Sequence, residues 1–183
     1  GTDPEGNVTF LLQVVDMAGN ISYDIIETTD NSDVIIDQTP PLLSFVHIES
    51  SNEISPFEAI PGSDIVTLTF QGNELLSTAS VTIMGNSIDV TNDGDTYSAE
   101  YSITEDDSGL VIFSIDYSDC PGNPGETDST TTDESFVNID SGPPEMLSVS
   151  ISSSYEDSSW ARVDDTVTVR FVATETLGEI NMV

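Results

Sequence analysis

The sequence contains no lysine, and its basic side chains are two arginines, Arg162 and Arg170, plus one histidine, His47, against 34 acidic residues. A formal charge of −32 repels nucleic acid phosphates and anionic membranes, which excludes both as partners. Copies of the chain repel one another as well, unless cations or salt screen them. The single cysteine, Cys120, has no intrachain partner, so no disulfide can staple the fold. It reads as a packed or surface thiol, with an intermolecular disulfide as the other reading. No run is apolar enough for a transmembrane span, and the chain starts without Met or a signal peptide, so it reads as a piece of something longer. Nothing supplies a nucleophile with its base, a His/Cys metal cluster or a phosphate loop, which leaves an enzyme without support.

What is present is a repeat. Gly6-Asn7-Val8-Thr9-Phe10, Asp16-Met17-Ala18-Gly19-Asn20 and Ile36-Asp37-Gln38-Thr39-Pro40-Pro41 return as Gly109 to Phe113, Asp119-Cys120-Pro121-Gly122-Asn123 and Ile139-Asp140-Ser141-Gly142-Pro143-Pro144. The offset is constant (119 minus 16, or 140 minus 37). Asp64 to Phe70 likewise returns as Asp165 to Phe171, with Glu74 and Leu76 matching Glu175 and Leu177, two residues having been lost in a loop. Self-similarity at about 100 residues means an array of like domains. The expected division is 1–40, the C-terminal part of a preceding repeat; 41–142, a complete repeat; and 143–183, the N-terminal part of a following one. The two partial pieces together lack the counterpart of about 83–103.

The 37% apolar residues are concentrated in runs of period two. Val66, Leu68 and Phe70 alternate with Thr67 and Thr69; Tyr97, Ala99, Tyr101 and Ile103 with Ser98, Glu100 and Ser102; Val111, Phe113, Ile115 and Tyr117 with Ile112, Ser114 and Asp116. Val8, Phe10, Leu12 and Val14 repeat the last pattern. One apolar and one polar face is the mark of antiparallel sheets with one wet side. For the complete repeat, strands are predicted near 43–50, 64–71, 79–84, 86–90, 95–103, 110–118 and 134–140. Tight hairpins are predicted at Met84-Gly85-Asn86-Ser87 and Asn92-Asp93-Gly94-Asp95. Seven short strands without helical periodicity predict an all-β fold of tandem immunoglobulin-like β-sandwiches, one complete domain flanked by two partial ones.

The order Asp-x-x-Gly-Asn, then Val-x-Ile-Asp, then Pro-Pro, with the Gly62 to Phe70 run, resembles the bacterial Ig-like repeats of large surface adhesins and related hyalin-type repeats. The resemblance covers essentially the whole chain. It implies extracellular or cell-surface, non-catalytic spacer or adhesion modules in long arrays. The chain departs from the antibody pattern in lacking an inter-sheet disulfide and a core Trp, and its second linker reads Ser-Gly-Pro-Pro.

Candidate site residues follow the repeat. Asp16/Asn20 and Asp119/Asn123 read first as turn chemistry, with Asp accepting backbone N–H groups and Gly19 or Gly122 at positive φ. The functional alternative is calcium, bound by Asp16, Asn20, Asp37, Asp119, Asn123 and Asp140 near the linkers, although no loop has EF-hand spacing. Asn7-Val8-Thr9 and Asn20-Ile21-Ser22 are glycan acceptor sequons, with Asn20 preferred because it lies in a turn. His47 reads as a surface residue of the first strand. Trp160, matching Phe57, reads as an aromatic plug at one end of the sandwich.

The function expected from these features is a non-enzymatic repeat segment of an extracellular fibre or adhesin stalk, whose partners are copies of itself and attached glycans. Head-to-tail polymerisation by completion of split domains is the sharper form. A calcium-dependent adhesion array and an accessory binding module of a secreted enzyme are the alternatives.

Overall fold

Alternating side chains become strands throughout the computed structural model, which describes residues 4–181. The first three and last two residues of the partial repeats expected at 1–40 and 143–183 lie outside it. The strands are β1 (Gly6–Asn7), β2 (Ile35–Ile36), β3 (Leu43–Ser50), β4 (Glu58–Ala59), β5 (Ile65–Gly72), β6 (Leu76–Ile83), β7 (Asn86–Ile88), β8 (Val90–Asp93), β9 (Thr96–Ser102), β10 (Gly109–Leu110), β11 (Phe113–Asp119), β12 (Asn138–Ile139), β13 (Met146–Ser153) and β14 (Val167–Ala173). Among the described residues there is no helix. Strand orders are β3-β5-β9-β8, β11-β6-β7 and β10-β12-β4, with two separate pairs, β1-β2 and β13-β14. The β1–β2, β10–β12, β11–β6, β13–β14, β6–β7 and β8–β9 pairings are antiparallel, and β12–β4 is parallel. The protein is therefore all-β, as its period-two patterning predicts, and its antiparallel sheets are consistent with a β-sandwich.

Contacts group the chain into two compact units. The first comprises Gly1–Ile48, Thr67–Tyr101 and Ile112–Ser135. Its core is Val46, Ile48, Leu68, Phe70, Val81, Ile83 and Ile115, all essentially without solvent exposure. The Tyr97 hydroxyl donates to the Leu76 carbonyl at 2.8 Å, and its ring stacks on Phe70 at 5.4 Å. A buried phenol needs such an acceptor. The edge of β3 is covered by side chains rather than by a full strand. Val46 N–H donates to the Thr132 hydroxyl and Ile48 N–H to the Ser135 hydroxyl, each at 3.0 Å, while Thr132 N–H donates to the Val46 carbonyl at 2.9 Å. An otherwise open edge is thereby blunted.

The second unit comprises Glu49–Val66, Ser102–Val111 and Phe136–Val183. Ala59, Val66, Ile103, Val111, Val137 and Ile139 are buried in it. The Phe57 and Phe136 rings stack at 5.5 Å. The β13–β14 pair sets Val149 opposite Phe171 and Ile151 opposite Val169.

Six expectations change. The strand predicted at 110–118 is two, β10 and β11, because the chain leaves one ladder for another: Val111 N–H donates to the Val137 carbonyl, and the Ile112 carbonyl accepts from Met84 N–H. The strand predicted at 134–140 shrinks to β12, since Thr132 and Ser135 serve β3 through their hydroxyls. The strand predicted at 79–84 begins three residues earlier, and Val90–Asp93 forms a strand of its own. The run Val8 to Val14 forms no continuous strand among the described residues: it has the isolated bridge Leu12–Ile25, with Val15–Ile21 just beyond it, and backbone bonds from Val8 N–H to the Val34 carbonyl and from Ser22 N–H to the Val14 carbonyl. Trp160 plugs nothing: it is 70% exposed, and the ring-on-ring contact belongs to its match Phe57, which has Phe136 to stack on. Both predicted hairpins form. Met84 and Gly85 sit at φ 50° and 77° between paired Ile83 and Asn86, and Gly94 sits at φ 61° beside paired Asp93 and Thr96.

Candidate functional site

The two Asp-x-x-Gly-Asn turns fold alike. Asp16 Oδ1 accepts from Ala18 and Asn20 N–H, both at 2.9 Å, and its Oδ2 accepts from Asn20 Nδ2 at 2.8 Å. Asp119 Oδ1 accepts from Gly122 N–H at 2.9 Å and Asn123 N–H at 2.7 Å, with Asn123 Nδ2 on its Oδ2 at 2.8 Å. Pro121 has no N–H to give, so Gly122 takes the place of Ala18. Gly19 and Gly122 adopt φ 89° and 98°, where a side chain is strained. The bonds from Asn20 hold the Asp16 carboxyl below the ordinary carboxylate range. Burial pushes Asp119 up, but the bonds from Asn123 and Gly122 outweigh it and leave Asp119 lowered too.

The surroundings of the two turns differ. Asp16 and Asn20 lie at an exposed surface, whereas Asp119 is fully buried. Asn123 Nδ2 also reaches the Asp37 carbonyl at 3.3 Å, so the turn grips the linker that precedes β3. That linker is held again downstream: Leu42 N–H donates to Asn73 Oδ1 and Asn73 N–H to the Leu42 carbonyl, both at 2.8 Å. Asp37 Oδ1 itself accepts from Thr39 N–H at 3.0 Å, and Pro41 is fully buried. The next linker repeats part of the arrangement. Asp140 Oδ1 accepts from Gly142 N–H at 2.9 Å, Glu145 N–H donates to the Thr174 hydroxyl at 3.0 Å, and Thr174 N–H donates to the Glu145 carbonyl at 2.9 Å. Glu145 and Thr174 match Leu42 and Asn73 at the repeat offsets.

Carboxylates converge at these linkers. Oxygens of Asp37, Glu74 and Asp119 lie within 4.8 Å of one another. Burial, then the negative charges of Asp37, Asp119 and Glu5, push Glu74 above the ordinary range. At the following linker Glu175 is raised in the same direction by its hydrogen bond to Asp140, by burial and by the charges of Asp140 and Glu58. Three carboxylates are hard oxygen donors of the kind calcium takes, although calcium wants six to eight oxygens. Asn123 turns its amide nitrogen, not its oxygen, to this group.

Of the six residues proposed for calcium, the structure brings together Asp37, Asp119 and Asn123. Asp16 and Asn20 form their own turn, and Asp140 pairs with Glu175. Glu74 and Glu175 are the residues the site reading missed; their recurrence at one offset was the available signal. His47 Nδ1 lies 2.6 Å from Asp133 Oδ2, and its ring stacks on Phe45 at 6.1 Å. Hydrogen bonds from Ser135, then from His47, hold Asp133 down to about 2. Cys120 is exposed. Asn20 spends its side-chain nitrogen on Asp16, while Asn7 lies in β1 opposite Ile35. No family model and no curated protein sequence matches the chain.

Proposed function

We propose that the chain is a non-enzymatic structural repeat segment of an extracellular fibre or adhesin stalk, of the bacterial Ig-like or hyalin type, with repeats divided at 1–40, 41–142 and 143–183. The observation that carries this reading is the linker lock, whose Asp turn and Leu42–Asn73 pair recur at matching positions as the Asp140 turn and the Glu145–Thr174 pair. A linker pinned by Asn123 and Asn73, with a buried Pro41, transmits orientation from one repeat to the next instead of acting as a hinge, because proline fixes φ and biases its predecessor toward extended backbone. Reach and stiffness are what a stalk needs, and the acidic surface keeps an array soluble.

The test is a distance distribution across the lock, from spin labels at Tyr23 and Ser87 in a Cys120→Ser background. A narrow distribution that broadens in the Asn73→Ala/Asn123→Ala variant is the expected result. A distribution already broad in the parent chain removes the reading.

A second reading, a calcium-dependent array, is favoured by one observation: three mutually repelling carboxylates meet where the lock closes. A cation would relieve the repulsion and add its binding free energy to folding. Calcium would then raise the melting temperature by several degrees and a chelator would reverse it; indifference to both discards this version.

A further inference from the structure

Two consecutive strands of the first unit, β7 and β8, stand at sheet edges. β7 ends the order β11-β6-β7, and β8 ends the order β3-β5-β9-β8. The opposite edge of the four-stranded sheet, β3, is blunted by the Thr132 and Ser135 hydroxyls. Among the described residues no strand or bridge meets the outer side of β8. Its pairing with β9 shows which backbone groups this leaves. The register is Asp93↔Thr96, Asn92↔Tyr97, Thr91↔Ser98 and Val90↔Ala99. The turn bond closes the Asp93–Thr96 pair, and bonded pairs alternate with unbonded ones along an antiparallel ladder. Thr91 and Asp93 therefore spend their backbone groups on β9, while Val90 and Asn92 present theirs at the open edge. Such an edge is a template for one more strand.

The side chains beside it select by charge. A groove of about 580 Å³ is lined by Ser87, Ile88, Asp89, Thr91, Ser98 and Glu100. Two carboxylates and three hydroxyls are thus present, with no basic side chain among them. One step beyond the Val90–Ala99 pair, the register sets Asp89 beside Glu100, and like charges so placed repel. Strand alternation puts Asp93 on the same face as Thr91.

We infer that the β8 edge is a docking site for an extended segment of a different protein, added antiparallel, with Lys or Arg at every second residue. Its intervening residues lie opposite Val90 and Asn92 and exchange backbone bonds with them. Its basic side chains lie opposite Thr91 and Asp93, on the face that carries Asp89 and Glu100. A second copy of this chain is the wrong occupant: it has no lysine, and its two arginines, Arg162 and Arg170, do not alternate. The formal charge of −32 draws a basic segment in, and salt weakens that attraction. The site goes beyond the stalk reading and does not depend on the linker lock.

The probe is a capped heptapeptide of alternating Lys and Val, with Lys at both ends, titrated into the isotope-labelled chain in about 0.15 M NaCl. Amide resonances of Val90 and Asn92 should shift and gain protection from exchange, with other shifts confined to β8 and the groove. N-methylation of the peptide's Val residues should abolish binding, and N-methylation of its Lys residues should not, because the Val N–H groups face the edge. Asn92→Pro removes an outward donor without touching the β9 ladder and should weaken binding about tenfold. Asp89→Asn and Glu100→Gln should each weaken it about two- to fivefold. The equal charge change Glu105→Gln/Asp106→Asn, outside the groove, should leave it unaltered. Should Asn92→Pro misfold by near-UV circular dichroism, the two N-methylated peptides make the same test on the unaltered chain. The inference is overturned by resonances of Val90 and Asn92 that do not move, or by equal binding of both N-methylated peptides. It is equally overturned by equal binding of a peptide whose lysines stand in one block, or by equal losses in the two sets of charge variants. Those outcomes leave the stalk reading standing, and a flexible linker in the spin-label test leaves this site standing.

Discussion

β5 and β14 share a pattern and differ in fate. Ile65–Gly72 buries Val66, Leu68 and Phe70 completely, whereas the matching Val167 and Val169 in Val167–Ala173 remain 53% and 37% exposed. Each strand alternates apolar and polar residues, and each pairs with the strand that its repeat dictates. The difference is burial: the apolar residues of β5 are buried along with Leu76, Val81 and Ile115, whereas no residue of β13 or β14 is buried. Alternation decides which face is apolar; only an opposing layer turns that face into core. The stabilisation from burial, about 25 cal/mol per Å² of apolar surface, therefore accrues to the central repeat and not to its outer matches.

The largest effect should come from the pair Phe70 and Phe171. Phe70→Ala opens a cavity beside Tyr97 and should cost about 3–5 kcal/mol in chemical denaturation. Phe171→Ala removes a ring that the second layer does not cover and should cost under about 1 kcal/mol in the monomer. Equal losses at the two positions would mean that the outer strands are as well packed as the central ones.

The turns give the next contrast. Asp119→Asn and Asp16→Asn each replace the Oδ2 that accepts the matching Asn side-chain amide by an NH2 that cannot accept, at a buried and an exposed site. The former also weakens the partner of Asn123, which holds the linker. A clear drop in melting temperature is expected for Asp119→Asn, and a drop near experimental error for Asp16→Asn. Comparable drops would show that the turn alone, independent of its surroundings, sets the stability.

Glu74 sharpens that contrast, because its carboxylate is a liability without a cation. Its folded pKa is raised, so the stability tied to it is present at low pH and lost as pH rises through the folded value. Glu74→Gln should therefore raise the melting temperature at neutral pH in chelator and abolish any response to calcium. Glu175→Gln should act in the same direction at the other linker. The lowered groups have the opposite sign. Asp119 and Asp133 contribute stability above the ordinary Asp value of about 3.9, and it is lost as pH falls through their folded values, for Asp133 about 2. Acidification from neutral should first stabilise the chain, as Glu74 and Glu175 protonate, and then destabilise it below about pH 4. A melting temperature that falls steadily from pH 7 downward would show that the linker carboxylates do not repel as the geometry requires.

Much of this was legible in the residues. Period-two runs located the principal central strands, and the Gly-containing tetrapeptides located both hairpins, because those signals are local. The repeat offset pointed to the linkers and matched Glu74 with Glu175, but nothing in the neighbouring residues ties those acids to Asp37 or Asp140, which only the fold brings close. Three further features were not legible. Trp160 matches Phe57, but only Phe57 has Phe136 beside it, and a partner from a distant segment leaves no mark on the neighbouring sequence. The division of 110–118 into β10 and β11 depends on Val137 and Met84 claiming the backbone at Val111 and Ile112. The edge of β3 is closed by Thr132 and Ser135 hydroxyls, which look like any polar loop until β3 lies beside them.

The smallest expected effect tests the local half of that lesson. Met84 holds φ 50° in the two-residue turn between β6 and β7, followed by Gly85 at φ 77°. Positive φ at both central positions is the type I′ geometry that strands of right-handed twist prefer, and it favours Asn at the first position and Gly at the second. A long unbranched side chain is strained in the left-handed region, where Asn is tolerated. Met84 is not a buried core residue, so its removal forfeits little packing. Met84→Asn should stabilise the chain by about 0.5–1 kcal/mol, a gain drawn from backbone strain alone. Denaturant midpoints of parent and variant measure it directly. A loss instead of a gain would mean that the Met84 side chain packs on the sheet more than its exposure implies, and that even this turn answers to surroundings rather than to its own four residues.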